Sequence, residues 1–450
     1  MRGNFFIFKQ PTAPIKVNNF NPLDDNGPRV SMQATPKQPS RILDSALQED
    51  ANEVSDEILV LDRIHFIDRL RKFLTVSVIS YSVVEMWSYG FAPLNGSWLP
   101  CDSATDVISY IYLNYNFSYF MGFYFLISGY LVTPSFNKRK IRGFFQHRVL
   151  RLMVPVIFYD LLLAPLILIA TKIMYFGSSL SITQIYKEYF ITYPGIGANP
   201  LWFPVALFLF ELVYIGCRNI IPVNNFLKTA PSPNPQVATI SISMICAVIL
   251  VLTFTMITFI IRTKVPIGFL EPIVFPAFPL AYFGQYILAY FCGVLSYRLN
   301  VLARIPLNFD KICLAISIVW GCVGAEIKHI TIAISTDPEI TQKIDGGSNF
   351  YQFCNSLFEQ GFAVWWSIAI ITIFKCHFNW SQSRIGNLIS VSCYTAYIIH
   401  PVFVVIYAIL IANWDASLLQ KIGAQLPIVL VSSWLIAVAC KCIPYAGLVL

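Results

Sequence analysis

The sequence predicts an all-α, polytopic membrane helix bundle, and its composition and apolar runs carry that prediction. Of its 450 residues 56% are hydrophobic and only 12% charged, with a mean hydropathy of +0.63. A soluble domain carries charge on about a quarter of its residues. One charge at mid-bilayer costs roughly 2.5 to 3.5 kcal/mol on insertion, so such scarcity is what lipid selects. The apolar residues also gather into runs close to the 20 or so that cross a hydrocarbon core.

Residues 1–62 contain no such run. They are polar and include Pro36, Pro39, Asp44, Glu49, Asp50 and Glu53, a composition too poor in apolar surface to fold. A disordered cytoplasmic tail is therefore expected ahead of a transmembrane domain over 63–450. The apolar stretch Phe5–Phe8 is too short for a signal sequence. About ten spans follow, near 73–92, 118–136, 152–175, 201–217, 237–261, 279–297, 312–334, 353–374, 388–411 and 426–443.

Lys and Arg concentrate at alternate ends of these runs, as at Arg69, Arg71 and Lys72, again over 138–151, and at Arg298, Arg304 and Lys311. Positive loops stay cytoplasmic, which places both termini inside. The segment 93–117 then faces out, with no Lys or Arg and with sequons at Asn95 and Asn116; a third, at Asn379, falls in an expected inner loop. The net charge of +7 is scattered over span edges and forms no basic domain, which argues against nucleic acid as a partner. The eleven cysteines lie mostly inside apolar runs without paired zinc-type spacing, so packing thiols and no metal are expected.

On a helix turning about 100° per residue, positions 71, 75, 78, 82, 85 and 89 fall near one line. They are Arg71, Thr75, Val78, Ser82, Glu85 and Tyr89, a polar stripe that should face the bundle interior or a wet cavity. Glu85 lies one turn beyond Ser82, within its reach. The stripe is either a packing face whose carboxylate pairs with a base on another helix, or a catalytic or substrate-lining face.

Before the third run, Lys138, Arg139, Lys140, Arg142, His147, Arg148 and Arg151 crowd a helix entry. Arg148 and Arg151, three apart, share a face and can grip one anion. Anchoring to anionic lipid and binding of a phosphate-bearing donor both fit. Asp160, Glu211, Glu326, Lys328 and His329 also interrupt apolar runs and should be paired. Gly129, Pro134, Pro155 and Pro204 are expected to kink their spans and open a cavity.

Several segments in order resemble the acyltransferase type 3 family: FIDRLRKFLTVSVISYS (66–82), FMGFYFLISGYLVTPSF (120–136), FFQHRVLRLMVP (144–155), NPLWFPVALFLFELVY (199–214), FGQYILAYFCGVLSYR (283–298) and CYTAYIIHPV (393–402). The resemblance implies about ten spans, no tightly bound cofactor, and transfer from a cytoplasmic acyl-CoA-type co-substrate to a hydroxyl acceptor, a carbohydrate or a lipid. It carries Arg71 onto the family's basic residue in the first span, and Arg148 and Arg151 onto its paired arginines, as donor-binding residues. The family's histidine eleven positions after that basic residue, often preceded by another, is replaced here by Tyr81 and Ser82. The catalytic candidates are therefore Ser82, Glu85 and His400. Glu85 acts as base through Ser82 or directly on the acceptor, or His400, at a position where the family commonly has histidine, supplies the imidazole. His400 also reads as an interhelical hydrogen-bonding residue. A non-catalytic relative that binds donor or lipid is the runner-up reading, and a transporter the third, disfavoured by the lack of an inverted repeat.

Overall fold

The computed structural model describes residues 65–90, 104–175, 177–192, 201–220, 236–268, 278–306 and 308–443, all within the compact unit Ile64–Leu450. The tail and the Asn95 sequon lie outside the described residues. Those residues form helices and connections, with no strand among them. In chain order the helices are α1 (His65–Glu85), α2 (Ala104–Arg148), α3 (149–175), α4 (Ile182–Thr192), α5 (Trp202–Arg218), α6 (Ile240–Arg262) and α7 (Phe283–Arg298). There follow α8 (Val301–Arg304), α9 (Phe309–Ile334), α10 (Ile340–Asp345), α11 (Phe350–His377), α12 (Arg384–Val391), α13 (Cys393–Ile411) and α14 (Leu418–Lys441).

Among the described residues six helices are long and apolar enough to cross a membrane: Ile141–Met174, Ile240–Arg262, Phe309–Ile332, Phe350–His377, Cys393–Ile411 and Leu418–Lys441. The expected runs at 201–217 and 279–297 lie in α5 and α7, of 17 and 16 residues. At 1.5 Å per residue these are about 24 to 26 Å long, short of the roughly 30 Å hydrocarbon core. The runs at 73–92 and 118–136 overlap α1, which carries charges at both ends, and α2, which is rich in Tyr, Asn and Ser.

Between the runs expected near 118–136 and 152–175, the helix continues from α2 into α3. α3 alternates π turns at Val149–Met153, Tyr159–Leu163 and Thr171–Tyr175 with α segments, and the first two π turns each precede a segment opening on proline, Pro155 and Pro165. Proline cannot donate to the carbonyl four residues back and clashes with it, and a π turn takes up that mismatch without ending the helix. The carbonyl opposite Pro165, Leu161 O, accepts instead from the Tyr186 hydroxyl of α4 at 3.0 Å.

Gly129 serves packing. A Cβ there would lie 2.0 Å from the Tyr290 carbonyl oxygen, and one at Gly293 would lie 2.0 Å from the Leu126 carbonyl oxygen. Lipid is as apolar as leucine, so helices in it associate through such close backbone approach and through interhelical hydrogen bonds. The start of α1 is fastened to the α11–α12 connection. The Phe66 amide donates to Asn379 Oδ1 at 3.3 Å, Lys72 donates to Gln382 Oε1 at 2.8 Å, Arg69 donates to the Phe378 carbonyl, and its guanidinium lies 4.1 Å from the Trp380 ring centre. Asn379 thus occupies one of the amides that an α-helix leaves unpaired at its N-terminus.

Candidate active site

α1 and α13 run side by side in the same direction. Thr75 sits beside Cys393, and seven residues further along each helix Ser82 meets His400. Ile79 and Val83 of α1, with Trp87 of the π turn Met86–Gly90 that follows it, pack in one cluster with Val404 and Ala408 of α13 and Val429 of α14, which supports this register. Gln425 of α14 ties the cluster together, accepting from Trp87 Nε1 at 2.5 Å and donating to the Val404 carbonyl at 2.7 Å.

Ser82 Oγ lies 3.2 Å from His400 Nε2, and His400 Nδ1 lies 2.6 Å from the Tyr397 carbonyl oxygen. A carbonyl only accepts, so Nδ1 carries the ring proton and, in the neutral ring, Nε2 presents its lone pair. The serine hydroxyl is therefore the donor. His400 is fully buried and Ser82 half-buried, which leaves the hydroxyl the approachable member of the pair. Pro401 lies one turn on inside α13. Proline has no N–H to give to residue 397, and the imidazole takes that place.

The stripe on α1 divides. Thr75 and Val78 are buried, with Thr75 Oγ1 donating to the Arg71 carbonyl at 2.9 Å and accepting from the Tyr124 hydroxyl of α2 at 3.0 Å. Arg71 and Glu85, at its two ends, are exposed. Glu85 Oε1 accepts from the Tyr81 hydroxyl at 3.3 Å, four residues back, and Ser82 bonds to His400 instead.

The three arginines come together. Arg151 lies within the electrostatic reach of Arg71 and Arg148, with the Tyr394 hydroxyl of α13 alongside and Lys441 nearby. Arg148 Nε is 3.1 Å from Glu211 Oε1 of α5, an ion pair whose carboxylate is almost wholly buried. Like charges this close repel, and an anion with several oxygens would relieve them. Along α13 the rings of Tyr394, Tyr397 and His400 follow one another, with centroids 6.5 and 5.9 Å apart. They form a continuous aromatic face between the arginines and Ser82.

Of the other intramembrane charges, Asp160 is buried, whereas Glu326 and His329 are exposed on α9. Lys328 stands 5.6 Å from the centre of the Tyr110 ring. A site that sequence reasoning missed is the fully buried Arg262 of α6, which holds both Glu359 oxygens of α11 at 2.7 and 3.1 Å. An arginine ending one apolar run and a glutamate inside another were the signal. A cavity of about 380 Å³ opens between α1, α2, α6, α7, α9 and α11, lined by apolar residues such as Leu70, Leu126, Ala247 and Ile371. None of the candidate site residues lines it.

Six apolar helices of spanning length among the described residues make this an integral membrane protein. It belongs to the acyltransferase 3 family, whose model, described as an acyltransferase domain, matches residues 64–443. No curated protein and no solved structure matches the chain.

Proposed function

We propose that the protein is a membrane O-acyltransferase that takes an acyl group from a cytoplasmic acyl-CoA-type thioester and gives it to a hydroxyl of a carbohydrate or lipid acceptor. The observation that carries this reading is the placing of an imidazole lone pair on a serine hydroxyl along the same helix that brings Arg71 to Arg148 and Arg151. Arg71 and Ser82 are eleven residues apart, about 16 Å at 1.5 Å per residue. That span is comparable with the extended arm between the phosphates and the sulfur of acyl-CoA. The arginines hold the phosphates, Arg148 being oriented by Glu211, and the thioester reaches Ser82 and His400.

His400 is the general base, with Nδ1 fixed on the Tyr397 carbonyl and Nε2 directed at the reacting hydroxyl. Glu85, turned to Tyr81, lies outside the proton path. In this reading about ten helices enter the bilayer, α1, α2, α5 and α7 among them, and both termini lie in the cytoplasm. CoA release by the full-length protein in lipid nanodiscs tests it. Release from acetyl-CoA or palmitoyl-CoA that falls at least about 100-fold in His400→Ala supports the reading, since a positioned base typically contributes 10²–10⁴-fold. Binding of donor with no release by the wild type would instead mark a non-catalytic, donor-binding relative.

A further inference from the structure

We infer that Ser82 is a covalent nucleophile, so that the acyl group rests on its oxygen between donor and acceptor. The inference deepens the acyl-transfer reading above and depends on it. Three observations carry it. The Ser82 hydroxyl donates to a ring nitrogen whose tautomer is set from the other side, at 3.2 and 2.6 Å. The imidazole is fully buried, whereas the serine is only half-buried. The dyad is held between two helices in register, by packing of Ile79 and Val83 against Val404 and Ala408 and not by a mobile loop.

A nucleophile, a base within hydrogen-bond reach and a third group orienting the base form the pattern by which enzymes activate serine. Here a backbone carbonyl fills the third role, made available by Pro401. A base that served only an acceptor hydroxyl would have its lone pair free for that acceptor, whereas this one is already occupied by Ser82.

The step balances with the donor thioester as its only co-reactant. Ser82 Oγ attacks the thioester carbonyl and passes its proton to His400 Nε2. The carbon–sulfur bond breaks, and the leaving thiolate takes that proton and departs as the free thiol. An acceptor hydroxyl then gives its proton to Nε2 while its oxygen attacks the Ser82 ester. The new ester leaves, and the proton returns to Ser82 Oγ. No metal, oxidant or reductant is consumed.

The test uses the full-length protein in nanodiscs, mixed with acetyl-CoA or palmitoyl-CoA and quenched in acid. Mass spectrometry of the peptide containing Ser82 is expected to show the added acyl mass. Free thiol should appear in a burst approaching one equivalent per protein, ahead of slower hydrolysis. Ser82→Ala should lose both adduct and burst, with CoA release reduced at least about 100-fold. Ser82→Cys should carry the group as a thioester that neutral hydroxylamine removes, while the wild-type ester resists it.

Wild-type turnover with no acyl mass on that peptide, or turnover kept in Ser82→Ala, would overturn the covalent step and leave the acyltransferase reading standing. Absence of thiol release by wild type from either donor would overturn both. Should Ser82→Ala fail to fold, judged by gel filtration, the hydroxylamine response of Ser82→Cys decides the question.

Discussion

Pro401 and Tyr397 stand one helical turn apart in α13, and the amide proton that the proline lacks leaves the Tyr397 carbonyl to His400 Nδ1 at 2.6 Å. The same device recurs at Pro165, whose orphaned carbonyl partner Leu161 is taken by the Tyr186 hydroxyl. In both places the chain gives up one backbone bond and fixes a side chain in return.

Pro401→Ala restores an N–H able to reach the Tyr397 carbonyl, so Nδ1 faces competition and the imidazole is less firmly oriented. Turnover is expected to fall by about 10- to 100-fold, the usual cost of losing a partner that orients a functional histidine, while thermal stability holds or rises. Steady-state thiol release and a thermal melt of the same preparation check the pair of effects.

Arg148 and Arg151 should respond differently to removal. Arg148→Ala strands the buried Glu211 carboxylate, and breaking a buried pair from one side costs roughly 3–5 kcal/mol. A lowered melting temperature is expected. Arg151→Ala has no such partner to strand and should raise the KM for acyl-CoA with little change in melting. Donor titrations and melts of the two variants side by side test the contrast.

Glu85→Gln is expected to keep close to wild-type turnover, because the carboxylate bonds to Tyr81 and not to Ser82. A loss comparable with that of His400→Ala would return Glu85 to the proton path.

Gly129→Ala and Gly293→Ala each place a methyl group 2.0 Å from a backbone oxygen of the facing helix. Overpacking usually costs about 1–3 kcal/mol, and here the obstacle is main chain, so neither α2 nor α7 can yield by a rotamer change. Reduced yield of folded protein on gel filtration is the expected result for both.

Outside the spans, the exposed Asp337 carboxyl is hydrogen-bonded to Lys343, which lowers its pKa below the usual carboxylate value and raises that of the lysine. The support from the lowered carboxyl is present above its unfolded pKa and is lost as pH falls through its folded one. That from the raised ammonium is lost as pH climbs through its own folded value. Protection of the α10 amides, corrected for the intrinsic pH dependence of exchange, should therefore be greatest between those limits and fall on the acid side, by a small amount because the pair is exposed.

The sequence made legible what spacing alone encodes. Arg148 and Arg151 at i and i+3, and Arg71 before the first apolar run, could be singled out, and the structure brings them together. Glu211 was expected to be paired, and it pairs with Arg148. Spacing along one helix misled where a contact crosses helices: Glu85 stands one turn from Ser82, yet the partner of Ser82 is 318 residues away. The gap between the runs near 118–136 and 152–175 is filled by helix for a related reason. Proline rules forbid one α hydrogen bond, and π turns in α3 absorb that loss while the helix goes on. In α5 and α7 the apolar runs fold as helices of only 17 and 16 residues, shorter than the six described helices of spanning length.

The 318-residue separation of Ser82 and His400 also sets a clock. Translation at about 5–20 residues per second leaves the serine waiting on the order of half a minute for its imidazole. Through that interval α1 is already made, while the helix that completes the dyad is not yet synthesised. On the proposed mechanism, a ribosome that stops early therefore releases a chain unable to perform the chemistry. Competence to transfer an acyl group doubles as a certificate that synthesis has passed α13.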